Sequence, residues 1–297
     1  MIINSTTLNQ MRVGFTKLYM NSLLAQNPSY KRVAMEVTST GKEQKYGWLG
    51  MSTRFREWLG DRTLQNLKEH DYSIKNKSFE NTVIVSKDDI EDDNLGVYSP
   101  LFQQLGWDAS MHPDELVYAL LLAGFSSLCY DGQYFFDVDH PVVLVDGTIG
   151  SYSNSGGGSG SPWFLIDSSK PIKPIIFQKR KDYNLKSMMN DTDQNVFMRK
   201  EYIYGVDARV NAGYALPQLA YGSKQTLDAT NYAAARTALL SMKADGGKPL
   251  GVMPDLLVVG PSNESAAKKI LLAEKDANGA TNINNGTAQI LVVPYLT

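Results

Sequence analysis

The pattern of apolar and polar positions changes character several times along the chain. Leu8, Met11, Phe15, Leu18 and Leu23 recur at three-, four- and five-residue steps, which predicts an amphipathic helix over residues 6–26. Thr6 or Thr7 can cap its start, and Asn27-Pro28 stops it. Such a helix needs a surface to lie against, either its own domain or a neighbouring molecule. Residues 45–86 read differently. Tyr46-Gly47-Trp48-Leu49-Gly50-Met51, Ser52 to Trp58 and Tyr72 to Ser86 look extended, with a short helical turn over Gly60 to Leu67. This is the pattern of a long hairpin, with arms of about 13 residues reaching on the order of 40 Å. An isolated two-stranded hairpin is marginal in water. Trp48, Phe55 and Trp58 add aromatic surface that is costly to leave wet, so the hairpin must fold back on its own core or dock on another chain.

The acidic run Lys87-Asp88-Asp89-Ile90-Glu91-Asp92-Asp93-Asn94 precedes an apolar segment at 95–107, where carboxylates complement the positive end of a helix dipole. Residues 98–127 are helical in pattern and broken by Pro113, which starts a second helix or kinks a long one. Asp131-Gly132 ends this unit, and Phe135 to Pro141 reads as a buried edge and turn. Gly147 to Ser161 is low in complexity and predicts a flexible surface loop. Short strands at 163–166, 175–179, 197–204 and 214–220 predict an antiparallel sheet. Helix 227–243, strand 255–259, helix 262–274 and strand 289–293 then predict an α/β subdomain.

Composition narrows the function. The chain has 297 residues, 43% hydrophobic and 20% charged, as expected of a folded protein of one or two domains. The formal charge is -2 with no basic block, which argues against a dedicated nucleic-acid binder. A single cysteine, Cys129, excludes a disulfide framework within the chain and fits a reducing compartment. The N-terminus shows no signal-peptide pattern, and the most apolar segment, Leu116 to Tyr130, is too short to span a bilayer. A protein made in the cytoplasm and free of membrane is the expectation.

Catalytic patterns are missing. There is no G-x-S-x-G, C-x-x-C, H-E-x-x-H or Walker motif, and the Gly-rich stretch fits neither nucleotide fingerprint. His70, His112 and His140 lie in separate segments and read as structural, as does Cys129. Asp191, Asp193 and Asn195 start like a calcium loop, but Val196 and Tyr202 stand where Gly and Glu are required. Lys170, Lys173, Lys179, Arg180 and Lys181 read as a solvated or salt-bridged edge rather than a nucleic-acid site. No catalytic, cofactor or metal site is expected. The alternative is a metal-dependent hydrolase or nuclease using Asp88–Asp93, or Asp137, Asp139 and His140.

Several longer strings carry a resemblance. Tyr46-Gly47-Trp48-Leu49-Gly50, Glu57-Trp58-Leu59-Gly60-Asp61-Arg62, Ile90 to Tyr98, Pro113 to Leu116, Tyr130 to Asp137 with Asp139-His140-Pro141, Lys173 to Arg180, Tyr204 to Arg209 and Leu250 to Asp255 resemble the Mu-like phage major head subunit, in the same order over nearly the whole chain. The resemblance implies an α+β protein with the tailed-phage major capsid (Hong Kong 97-like) fold. It also implies an N-terminal arm on 1–40, an extended hairpin loop on 41–88, a peripheral domain with a spine helix on 89–222, and an axial-type α/β subdomain on 223–297. The position of that last unit after the sheet segment looks reshuffled, and it predicts Thr297 near the start of the Trp163 strand. The implied function is a shell around phage DNA, in the virion, built from copies of itself in hexamers and pentamers. Scaffolding and portal proteins are the further partners expected, with only non-specific contact to packaged DNA. Trp48, Arg54, Phe55, Arg56, Trp58 and Arg62 are expected to meet a neighbouring subunit, the arginines facing acidic surfaces such as Asp88, Asp89, Asp92 and Asp93.

Overall fold

The computed structural model describes residues 5–47, 49, 72–92, 95–276 and 278–297. From the N-terminus come helix α1 (Ser5–Ala25), a 3-10 turn at Ser29–Arg32, strands β1 (Ala34–Thr38), β2 (Glu43–Lys45), β3 (Ser73–Lys75) and β4 (Lys77–Ser86), and helices α2 (Lys87–Glu91) and α3 (Ser99–Ala123). Strands β5 (His140–Val143), β6 (Ile149–Tyr152), β7 (Ser155–Gly158), β8 (Trp163–Ile166) and β9 (Ile175–Met188) follow, with α4 (Gln194–Arg199), β10 (Glu201–Tyr214) and β11 (Ala220–Lys224) after them. Helix α5 (Ala229–Leu240), β12 (Leu256–Val259), α6 (Glu264–Leu271) and β13 (Gln289–Val292) complete the chain.

Two sheets organise the subunit. One runs β1-β9-β10-β4 and the other β13-β12-β8-β11-β7. In the first, β10 alternates half-buried and buried residues along its length, the signature of a sheet covered on one face. Helices α1 and α3 supply the cover. Met11, Phe15 and Tyr19 of α1 pack with Phe102, Leu105 and Ala109 of α3 over Val85, Tyr202 and Tyr204. Phe15 stacks on Phe102 at 4.1 Å, and both rings meet Tyr204 edge-on. The helices cross closely because Gly106 has no side chain: a Cβ there would stand 2.4 Å from the Tyr19 carbonyl oxygen. The N-terminal helix therefore lies on its own subunit. The C-terminal half of α3 serves a second cluster, in which Val117, Tyr118 and Leu121 meet Phe164 and Ile166 of β8 and Ile175 and Phe177 of β9.

Several elements differ from the sequence reading. Residues 77–86 are not one arm of a free hairpin: β4 pairs antiparallel with β10 over its whole length, from Lys77↔Val210 to Ser86↔Glu201. Polar outward residues hid the partner, because strand pairing is made by backbone. The acidic run forms its own short helix, α2, instead of opening the next one. The Gly-rich stretch holds two strands, and β7 pairs parallel with β11. Its glycines are there for approach: a Cβ on Gly158 would lie 2.5 Å from the backbone of Lys224 and Gln225. The expected strand at 197–204 starts only at Glu201, since Phe197 belongs to α4, and β10 continues to Tyr214. Short apolar runs fit either period. The strands of the expected single sheet are divided, β9 and β10 in one sheet and β8 and β11 in the other.

Helix α3 passes through Pro113 without interruption. The α/β unit is present: β12 and β13 are parallel, with α6 between them. Both belong to the sheet of β8 and β11, which straddles the 222/223 boundary suggested by sequence. Val259 pairs with Trp163 and with Val292, and Leu296 packs on Gly260. The chain end thus lies by the start of the Trp163 strand. Among the described residues, no helix is long and apolar enough to cross a membrane.

Beside Pro113, the buried Asp114 carboxylate accepts from Ser29 N (3.0 Å), Ser29 Oγ (2.9 Å) and Tyr30 N (2.7 Å). It fixes the turn between α1 and β1 to the middle of α3. Asp114→Ala leaves two buried amides without an acceptor, and the expected loss is roughly 3 kcal/mol by urea unfolding. His112, one residue away, is half-buried against Phe79, its Nδ1 2.6 Å from the Tyr183 hydroxyl. Burial holds its imidazole below the ordinary value of 6.5. The unfolded chain therefore takes up the proton first, so this contribution is full above about pH 6.5 and declines as the pH falls below it. His112→Gln should flatten the fall in urea midpoint between about pH 7.5 and about pH 5.

Candidate assembly surface

The expected hairpin is rooted in the sheet. Strands β2 and β3 pair antiparallel, Glu43 opposite Lys75 and Lys45 opposite Ser73. Tyr46 N then donates to Tyr72 O at 3.0 Å, so the two ends of the intervening segment are fixed side by side. The root is packed: Tyr46, Leu49 and Ile74 are buried with Ile176 and Ala215. A polar clamp sets its register. The fully buried Gln178 of β9 accepts from the Tyr46 hydroxyl (2.8 Å) and donates to Ile74 O (3.0 Å) and Asn76 Oδ1 (2.8 Å). Asn76 in turn donates to Ser39 Oγ and Gly41 O. Trp48, Arg54, Phe55, Arg56, Trp58 and Arg62, the residues expected to grip a neighbour, lie outside the described residues, as do His70 and Asp93.

The remaining acidic candidates sit on α2. Asp88 is exposed and pairs with Lys200 Nζ at 3.2 Å. Asp89 accepts from the Tyr98 hydroxyl. Asp92 is exposed at the end of the helix. Asp88 and Asp89 thus have partners from different segments of their own chain. The basic cluster is similarly engaged. Lys179 pairs with Asp182 at 3.2 Å, Lys181 and Lys186 both meet Asp207, and Lys170 reaches Asp167 at 3.5 Å. Exposed pairs of this kind contribute little stability. Asp193 supports the start of α4, accepting from Asn190 N, while Asn195 donates to Met188 O and Glu201 O.

One buried cluster was not anticipated. Cys129, Asp131 and His140 bring their donor atoms within 4.8 Å of one another. His140 Nδ1 lies 2.7 Å from Asp131 Oδ2, and Cys129 Sγ is 3.0 Å from Asp131 Oδ1. Burial and the neighbouring Asp131 carboxylate push the Cys129 thiol well above its ordinary range. Burial also pushes Asp131 up, but hydrogen bonds from His140, Cys129 and Gln133 outweigh it and hold the carboxyl below the usual value. Neither Asp137 nor Asp139 joins His140 here: Asp137 accepts from Val138 N and Tyr134 N, and Asp139 is exposed. The signal for the cluster was the Cys-x-Asp spacing ahead of His140-Pro141, read as turn and core residues.

Residues 8–296 match the family model for the Mu-like prophage major head subunit gpT. The chain is 40% identical over 305 residues to the major capsid protein of Escherichia phage Mu, covering all of both chains. It is 43% identical over 280 residues to the Mu-like prophage FluMu major head subunit of Haemophilus influenzae, covering 92% of this chain and 91% of the relative. The chain belongs to the Mu-like major head subunit family. Its function is that of a major capsid protein, and its fold is that of the tailed-phage capsid. A chain from the procapsid of bacteriophage JBD30 superposes with a TM-score of 0.90 at 43% identity, covering 99% of this chain and 100% of that one. A chain from the JBD30 capsid gives 0.78 at 33% identity, with both chains fully covered.

As a head subunit, the molecule exposes apolar surface in defined places. At the α4 end of the first sheet, Ile84, Ile203 and Met188 stand in one row across β4, β10 and β9. Phe197 and Met198 on α4 are 79% and 69% exposed. Val145 and Ile149 are exposed at the far end of the β5–β6 hairpin. The hairpin root, by contrast, is closed. Gln178→Leu should cost roughly 2–3 kcal/mol in urea unfolding, because the Tyr46 hydroxyl and Ile74 carbonyl lose their partner. It should also speed limited proteolysis between residues 47 and 71.

Proposed function

We propose that this head subunit closes its shell by seating the 47–71 segment on a neighbouring copy, with Trp48, Phe55 and Trp58 buried there and Arg54, Arg56 and Arg62 meeting the acidic α2 region at Asp88, Asp89, Asp92 and Asp93. The observation that carries this reading is the root. Tyr46 N donates to Tyr72 O, and the buried Gln178 ties Tyr46 to Ile74 beside it, so the two ends of the segment share a fixed base. Aromatic and Arg residues are the usual anchors of an interface. Closed rings of identical subunits need heterologous contacts, in which the surface that grips differs from the surface gripped. The Phe197–Met198 patch fits the second role: an apolar area on a subunit that assembles with its own kind.

A structural role is the same reading's account of α2, where Asp88 meets Lys200 and Asp89 meets Tyr98 of their own chain. The subunit is made in the host cytoplasm and meets scaffolding and portal proteins during assembly. With a charge of -2 and its lysine cluster paired internally, it touches packaged DNA weakly and without sequence preference.

Deleting residues 52–68 should leave a folded, soluble subunit that forms no shells by electron microscopy; normal particles from the deletion refute the clamp. Phe197→Asp, at an exposed position, should leave the unfolding midpoint within about 0.5 kcal/mol of the unaltered chain while lowering particle yield.

A further inference from the structure

We propose that Cys129, Asp131 and His140 form a binding site for one borderline-soft divalent cation of the Zn(II) or Co(II) class. Nitrogen, oxygen and sulfur donors within 4.8 Å of one another are the ligand set such ions take in four-coordinate sites. The second observation is the orientation imposed on His140. Asn154 Nδ2 donates to Phe135 O at 2.8 Å and to Pro217 O at 3.0 Å, which fixes the amide orientation. Asn154 Oδ1 accepts from Asp137 N at 2.9 Å and lies 3.2 Å from His140 Nε2. Nε2 therefore faces a fixed acceptor. The other ring nitrogen, Nδ1, faces the Asp131 carboxylate, 2.7 Å away. The thiol, the carboxylate and Nδ1 thus converge from two segments, and in the metal-free chain they hydrogen-bond to one another.

A divalent ion fits this arrangement. Metal-bound imidazoles donate the other ring N–H to a fixed acceptor, as Nε2 does here to Asn154. One thiolate and one carboxylate balance the ion's two charges, so the filled site is neutral. On binding, the Cys129 S–H proton and the proton held between Nδ1 and Asp131 leave to solvent, and the freed sulfur and nitrogen electron pairs form the bonds to the metal. Water takes the fourth position. Tyr152 stacks on the imidazole at 5.0 Å and holds the ring plane. The ion would join the 129–140 segment to β5 in a chain whose single cysteine excludes an internal disulfide.

The test uses the whole subunit, expressed in minimal medium supplemented with Co(II) or with Zn(II). The expected result is one metal per chain by elemental analysis and, for cobalt, a thiolate-to-metal charge-transfer band in the near ultraviolet. Cys129→Ser should abolish the band, and His140→Gln should weaken cobalt binding by roughly tenfold or more. Folded wild-type protein with sub-stoichiometric metal and no charge-transfer band overturns the proposal and leaves the three side chains as a hydrogen-bonded cluster. A band that survives in Cys129→Ser overturns it too, because the metal would then sit elsewhere. The wild-type spectrum decides the matter even where a variant fails to fold.

Discussion

A single helix of 25 residues has to satisfy two sheets at once. At 1.5 Å per residue, α3 extends about 37 Å, long enough to lie under the first sheet with α1 and then continue into the seam between β8 and β9. Its first half offers Phe102, Leu105 and Ala109 to one cluster, and its second offers Val117, Tyr118 and Leu121 to another. The handover falls at Pro113-Asp114. Proline surrenders the backbone bond toward Ala109, and the aspartate beside it takes up the backbone of Ser29 and Tyr30. The weakest turn of the helix is thus where the N-terminal segment is tied on. A subunit that must hold its shape while neighbours load it needs that connection inside itself.

Buried polar groups repeat this logic elsewhere. Gln178 joins Tyr46, Ile74 and Asn76, and Asn154 joins Phe135, Pro217 and His140. Each is fully buried and has several partners, so each holds one arrangement of segments that hydrophobic packing alone would leave free to slip. The apolar surfaces are distributed in the opposite way. Phe197 and Met198 are left in solvent at one end of the long β9–β10 ribbon, away from these clamps. Rigid roots with adhesive extremities suit a building block whose remaining burial is completed by copies of itself.

Much of this was legible along the chain. Helix α1, the continuous pattern of α3, and the order of α5, β12, α6 and β13 follow from period and breakers, which are local properties. Family membership was legible for a similar reason: strings such as Tyr130 to Asp137 and Lys173 to Arg180 keep their order over the whole chain. What periodicity could not supply was partnership. Nothing local says that β4 pairs with β10, that β11 joins β8 rather than β9, or that the glycines at 156–158 make room for Lys224. Strand pairing runs through backbone groups that every residue shares, and close approach depends on the other segment.

The candidate sites divide along the same line. The sequence by itself determined a shell subunit with an aromatic, Arg-bearing segment at 45–86 and a single thiol, because composition and motif order are carried by residue identity alone. Only the tertiary structure decided that Tyr46 and Tyr72 form a closed root, that Asp88 and Asp89 are engaged within their own chain, and that Cys129, Asp131 and His140 meet in one buried place. Those facts depend on orientation: a thiol, a carboxylate and an imidazole become one cluster only when the turn at 131–137 folds them together and Asn154 orients the ring.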